Sequence, residues 1–210
     1  MKILLVDDHA VVRTGLRRLL GALPHTTILE AATGQEALAT IRAETPALMV
    51  LDLNLPGLGG FELLQRTLAE QPDLRVLVLS MHGETLYATR ALRAGAAGYL
   101  SKNVAPEELV DAVKRVMDGG RYVEAEMAQA LALQTTESAS LTDRLSGRDF
   151  EILRLLADGQ SLSEIADALG VSYKTVANTC SLIKAKLGVT RTVDLIRLSL
   201  DLTGSPASPR

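Results

Sequence analysis

At 210 residues the chain is long for one core and comfortable for two domains, each able to bury its own. Its 22 Lys and Arg against 25 Asp and Glu leave a net charge of −3, so the chain as a whole favours neither a nucleic acid nor a membrane. One cysteine excludes an intramolecular disulfide, and three scattered histidines (His9, His25 and His82) give no zinc spacing.

The charge is unevenly placed. Residues 1–143 carry 13 basic and 18 acidic side chains, whereas residues 144–210 carry 9 and 7, giving an acidic portion and a mildly basic one. In chain order, the first element is an apolar run, "ILLV" at 3–6, which ends in Asp7 and Asp8. Adjacent carboxylates resist joint ionisation unless a positive group is close. Four apolar residues are too few for a signal peptide, and no stretch approaches the roughly 18 of a membrane span, so a soluble, cytoplasmic chain with no membrane partner is expected.

Val12, Leu16, Leu19 and Leu20 then recur with helical spacing. Further apolar runs follow: "TILEA" at 27–31, "ALMVL" at 47–51 ending at Asp52, "RVLVL" at 75–79 ending at Ser80, and "AAGYL" at 96–100 ending at Ser101 and Lys102. Helical segments separate them, the last marked by Leu109, Val113, Val116 and Met117. Five strand-helix alternations predict an α/β domain with a five-stranded, doubly wound parallel sheet. Ligands of such sheets bind outside the carboxyl ends of the strands, where strand order reverses. Asp7, Asp8, Asp52, Ser80 and Lys102 all fall on that edge. Carboxylates with room for water suit Mg2+. Asp52 can act as a nucleophile toward a phosphoryl group while Lys102 neutralises charge and Ser80 donates a hydrogen bond. Singly, these residues also read as helix caps and turn carboxylates; together they describe one site.

The set "VDDH", "LDLNLPGLGG", "VLVLSMH" and "GAAGYLSK" resembles the receiver domain of two-component response regulators over residues 1 to about 120. The resemblance implies a flavodoxin-like fold and a histidine kinase that phosphorylates Asp52. It also implies Mg2+ held by Asp7 or Asp8, Asp52 and the backbone carbonyl of Asn54. Its switch would have Ser80 move toward the phosphoryl group and Tyr99 turn inward behind it. Receivers often carry a cis proline after the lysine. Here Asn103 stands in its place, and a non-proline cis bond costs about 2.5–4 kcal/mol. Met81 and His82 are placed at the site mouth without a chemical role.

Glycines in "VMDGG" end the helix before residue 121, and 121–143 reads as a linker with a short helical segment up to 133 and polar "QTTESAS" at 134–140. Residues 144–203 carry four helical signals and no strand. Ser146 and Asp149 form a capping-box pattern ahead of Phe150, Leu153 and Leu156. A short helix spans Glu164 to Leu169, and a longer one runs from its cap Ser172 to Gly188. Residues 192–202 form the last. A short helix, a glycine turn and a longer helix make a helix-turn-helix. At about 100° per residue, Val176, Cys180, Ile183 and Leu187 share the core stripe. Lys174, Asn178, Ser181 and Ala185 lie opposite, with Ala177 and Lys184 to one side. That small polar face suits a major groove, and the Asn178 amide suits adenine; a solvated surface helix would look alike. Cys180 reads as a small packed hydrophobe.

"LSGRDFEILRLLADGQSLSEIADALGVSYKTVANTCSLIKAKLGV" resembles the LuxR-type (NarL/FixJ) DNA-binding domain throughout. By that resemblance Ala177, Asn178 and Ser181 approach bases, while Ser172, Lys174, Thr175 and Lys186 hold phosphates, with Lys184 beside them. The last helix, with Val193, Ile196, Leu200 and Leu202, would pair two copies on a pseudo-palindromic duplex. Ala177 and Thr179 stand where members often carry Lys or Arg and His or Tyr, which implies a shallower salt dependence. Residues 204–210 are expected to be disordered. The expected function is DNA-binding transcriptional control by phosphorylation of Asp52, with self-phosphotransfer but no enzymatic turnover. The alternative is a regulator independent of phosphorylation whose receiver is a protein-interaction surface. A phosphatase of the Asp-x-Asp type is disfavoured because Asn54 cannot act as its acid and base.

Overall fold

The computed structural model describes residues 1–81, 85–133 and 145–203. The chain divides into two compact units, the first ending at Leu133.

In the first unit, β1 (Lys2–Val6), β2 (Thr27–Ala31), β3 (Leu48–Leu51), β4 (Arg75–Ser80), β5 (Gly98–Ser101) and β6 (Tyr122–Val123) form one sheet in the order β2-β1-β3-β4-β5-β6, paired in parallel throughout. Between them run α1 (Ala10–Leu20), α2 (Gly34–Glu44), α3 (Gly60–Glu70), α4 (Thr85–Arg93) and α5 (Pro106–Met117), and α6 (Ala125–Leu133) follows β6. The interior strands β1, β3 and β4 read as near-unbroken apolar runs because both sheet faces are buried there, whereas edge strand β2 leaves Thr27 and Glu30 exposed. Leu4, Val6, Met49, Leu51, Val76, Val78 and Tyr99 pack on the side that holds Ala37, Ile41, Leu63, Leu64, Ala88 and Met127. Ile3, Leu5, Leu48, Val50, Leu77, Leu79 and Leu100 pack on the other, with Leu16, Leu20, Leu109, Val113 and Val116.

The sheet has six strands where five were expected. Tyr122 N–H donates to Ala97 O at 3.1 Å, and Val123 lies opposite Tyr99. Two residues are too few to show a period, so the sequence conceals this strand. The helical segment expected before 133 is α6, and Met127 and Leu131 pack into the same apolar cluster as Tyr99. The polar stretch 134–140 and residues 204–210 lie outside the described residues.

The second unit consists of α7 (Gly147–Ala157), α8 (Leu162–Ala168), α9 (Tyr173–Leu187) and α10 (Thr192–Thr203). Ser146 and Asp149 close the capping box at α7, and Ser161 and Glu164 close a second at α8. Ser172 caps α9, which Gly188 ends at φ 72°, a conformation that favours glycine. Phe150, Ile152, Leu153, Leu156, Ile165, Val176, Cys180, Ile183 and Leu195 are buried among these helices. On α10 the inward residues are Leu195 and Ser199, whereas Val193 is 71 % exposed.

Candidate functional site

The carboxyl ends of β1, β3, β4 and β5 reach one level because the ladder continues past each strand. Asp52 N–H donates to Val6 O at 2.8 Å, and Lys102 N–H donates to Ser80 O at 2.8 Å. Asp7, Asp52 and Ser80 are buried there, while Asp8 stands more open. Lys102 reaches across the sheet, its Nζ 2.6 Å from Asp7 Oδ2 and 2.6 Å from Asp52 Oδ2. The second oxygen of each carboxylate is also held. Asp7 Oδ1 accepts from His9 N–H at 2.8 Å, and Asp52 Oδ1 accepts from Asn54 N–H at 3.0 Å. Arg13 Nη1 donates to the Asp7 carbonyl at 2.6 Å, pinning the turn into α1.

Space below the site is closed by backbone. A Cβ on Gly60, at the start of α3, would lie 2.4 Å from the Leu53 Cα and 2.8 Å from the Asp52 carbonyl oxygen. Only glycine lets α3 approach the turn that orients Asp52 and Asn54.

Burial drives the Asp52 pKa above the ordinary carboxylate value, and the nearby Asp7 charge adds to this, against the hydrogen bonds from Asn54 and Lys102. Burial opposes the Lys102 ammonium, but hydrogen bonds and charge from Asp52 and Asp7 prevail and raise its pKa. A charged lysine therefore sits between two buried carboxylates that it only partly compensates.

Asp7, Asp8, His9 and Asp52 bring ligand atoms within 4.8 Å of one another. Three of the four offer hard carboxylate oxygens, the donor chemistry that Mg2+ prefers, so the residues present fit such an ion. His9 was missed as a member; its Nδ1 lies 2.8 Å from Asp8 Oδ1, and its position directly after the acidic pair was the only available signal. Tyr99 is buried in the middle of β5, opposite Val78 and Val123. Met81 is exposed at the end of β4, and His82 lies outside the described residues.

In the second unit, Lys174, Thr175, Asn178, Ser181 and Ala185 are exposed along α9, and Ala177 and Lys184 are half-buried. Ser172 Oγ accepts from Thr175 N–H at 3.1 Å and lies 2.8 Å from Thr175 Oγ1, so both hydroxyls help start the helix. Ser181 Oγ donates back to Ala177 O at 3.1 Å. Lys186 Nζ is 2.5 Å from Asp149 Oδ2, which ties the end of α9 to the capping box of α7. Leu182, one turn on from Asn178, is 61 % exposed and adds an apolar member to this face that the polar pattern of the helix does not announce. Burial raises the Cys180 thiol pKa, Lys184 opposing it weakly.

The comparisons agree with both halves. The profile of the response regulator receiver domain matches residues 3–114, and that of the luxR family of bacterial regulatory proteins matches residues 143–199. The transcriptional activator protein ExaE of Pseudomonas putida is 40 % identical over 206 residues, covering 96 % of each chain. Response regulator GacA of Pseudomonas aeruginosa is 36 % identical over 204 residues, covering 95 % of each. A solved structure of the Salmonella typhimurium response regulator RcsB is similar at TM-score 0.70 and 25 % identity, over 97 % of this chain and 98 % of that one.

Proposed function

Because the chain belongs to the two-component response regulators, with an N-terminal receiver and a C-terminal LuxR-type DNA-binding domain, we propose that Asp52 is its phosphoacceptor and that phosphorylation controls its binding to DNA. In this reading a histidine kinase presents a phosphohistidine. An Asp52 carboxylate oxygen forms the new P–O bond while the N–P bond breaks, its electron pair passing to the imidazole, which takes up a proton. Mg2+ held by Asp7, Asp8, Asp52 and the Asn54 carbonyl would neutralise charge on the transferred group. Lys102 holds the acceptor in place and remains charged, Ser80 donates to a phosphoryl oxygen, and Tyr99 follows Ser80 in the switch. No turnover beyond this self-transfer is proposed.

The observation that carries the reading is the Lys102 ammonium 2.6 Å from both Asp7 and Asp52. Two buried carboxylates against one ammonium leave negative charge at the site, which a divalent ion would neutralise when a phosphoryl group adds more.

For the output, α9 enters a major groove. Ala177, Asn178 and Ser181 face bases, while Ser172, Lys174, Thr175, Lys184 and Lys186 lie toward phosphates. Two copies pair through α10 on a pseudo-palindromic duplex. Among the described residues no helix is long and apolar enough to cross a membrane, in keeping with a cytoplasmic regulator.

The test is labelling of the full chain with radioactive acetyl phosphate, with and without Mg2+, and in Asp52→Asn. Mg2+-dependent label lost in the variant, together with tighter operator binding after labelling, is the expected result. Absence of label in the natural chain would leave the phosphorylation-independent alternative.

A further inference from the structure

Tyr122 to Leu133 would be a mere exit from the receiver if it touched nothing of the site. Instead it is fastened at several places, one of them the Tyr122 hydroxyl, which donates to the Glu108 carboxylate on α5 at 3.0 Å. Its strand pairs with β5 so that Val123 lies opposite Tyr99. Its helix packs against α4, with Met127 buried in the apolar cluster that contains Tyr87, Ala88, Ala91 and Tyr99. At the hinge between them, the Glu124 carboxylate accepts from the main-chain N–H of Ser101, and the Glu124 carbonyl accepts from Ala128 N–H at 2.8 Å.

Ser101 immediately precedes Lys102. The Glu124 carboxylate thus grips the peptide that carries the lysine bridging Asp7 and Asp52. A phosphoryl group on Asp52 and a cation at Asp7 both compete with the present Lys102 contacts, so the ammonium must shift. Any part of that shift that reaches the main chain, which Ser80 O holds on one side, works against the Glu124 grip on the other.

We propose that β6 and α6 form a strap latched by Glu124, that phosphorylation of Asp52 releases the latch through Lys102 and Ser101, and that the loosened strap passes the signal to the DNA-binding domain along the continuous chain. Glu124 is a positioning residue, acting on Lys102 through the backbone. The proposal rests on Asp52 being the phosphoacceptor.

The test uses the full chain with Mg2+ and beryllofluoride as the phosphoryl mimic. Fluorine NMR reports occupancy of Asp52, and hydrogen exchange reports the strap. Occupancy is expected to speed amide exchange in 122–133 by about tenfold, within the range of local opening equilibria. Glu124→Ala is expected to show fast exchange there without the mimic. It should also tighten binding to a selected operator duplex about five- to tenfold, within ordinary allosteric coupling, with little further gain from the mimic. Glu124→Gln, which keeps an acceptor oxygen, should behave much more like the natural chain. Full fluorine occupancy with unchanged strap exchange would overturn the latch alone, as would an alanine variant that keeps the whole phosphorylation-dependent gain. No bound fluorine signal would instead overturn the acceptor reading and the latch with it. If the alanine variant fails to fold, exchange in the natural chain and in Glu124→Gln decides the question.

Discussion

Asp52 shows how one side chain can be costly to the fold and useful to the site. A pKa raised by burial means that the folded receiver disfavours the ionised carboxylate even with Lys102 beside it. Stability from this group is present at low pH and is lost as pH rises through the raised value. Asp52→Asn is therefore expected to lose less stability than the natural receiver on going from pH 4 to pH 7. Urea melts at the two pH values check the sign. Lys186 has the opposite character. Removing it leaves the buried Asp149 carboxylate with the Ser146 N–H but no cation, so Lys186→Ala should cost about 1 kcal/mol of second-unit stability, read from chemical denaturation, independently of any loss of phosphate contact. Cys180, buried and with its thiol pKa pushed up, should react with a thiol-specific reagent far more slowly in the folded chain than in urea.

Among the elements, the turn between β3 and α3 is the least tolerant. Gly60→Ala would drive a methyl group into the Leu53 backbone, and the cost should exceed about 2 kcal/mol, with Asp52 labelling reduced. Thermal melts together with the labelling assay measure both effects. By contrast, Ser161→Ala removes one capping hydrogen bond, and about 1 kcal/mol of second-unit stability is expected to go with it. The elements differ in how openly they were written. Strands ending in Asp7, Asp52, Ser80 and Lys102 were legible because a doubly buried strand must be apolar until the sheet stops. Their convergence followed from parallel topology alone. The Ser161–Glu164 box also had its motif in plain sight, "SLSE", though only the helix from Glu164 onward was anticipated. β6 was concealed because two residues have no period. Glu124 was concealed because a carboxylate just before a helix is an ordinary sight, and its partner lies 23 residues away. Lys186 and Asp149 are 37 residues apart, with no local pattern to connect them.

At the scale of the whole molecule, each unit holds a core of its own, so residues 145–203 alone are expected to be helical and to unfold cooperatively, as circular dichroism with urea can check. The receiver is less easily trimmed. Its apolar-run pattern invites a cut near residue 120, yet β5 is an interior strand only because Tyr122 and Val123 lie beside it. A fragment ending at 120 would bare the Ala97 carbonyl and the backbone of Tyr99 along an open flank, next to apolar surface that Met127 and Leu131 normally cover. Such a fragment should self-associate by sedimentation at concentrations where one ending at 133 remains monomeric. The two-residue strand thus doubles as a guard rail against the receiver stacking edge to edge with its own copies.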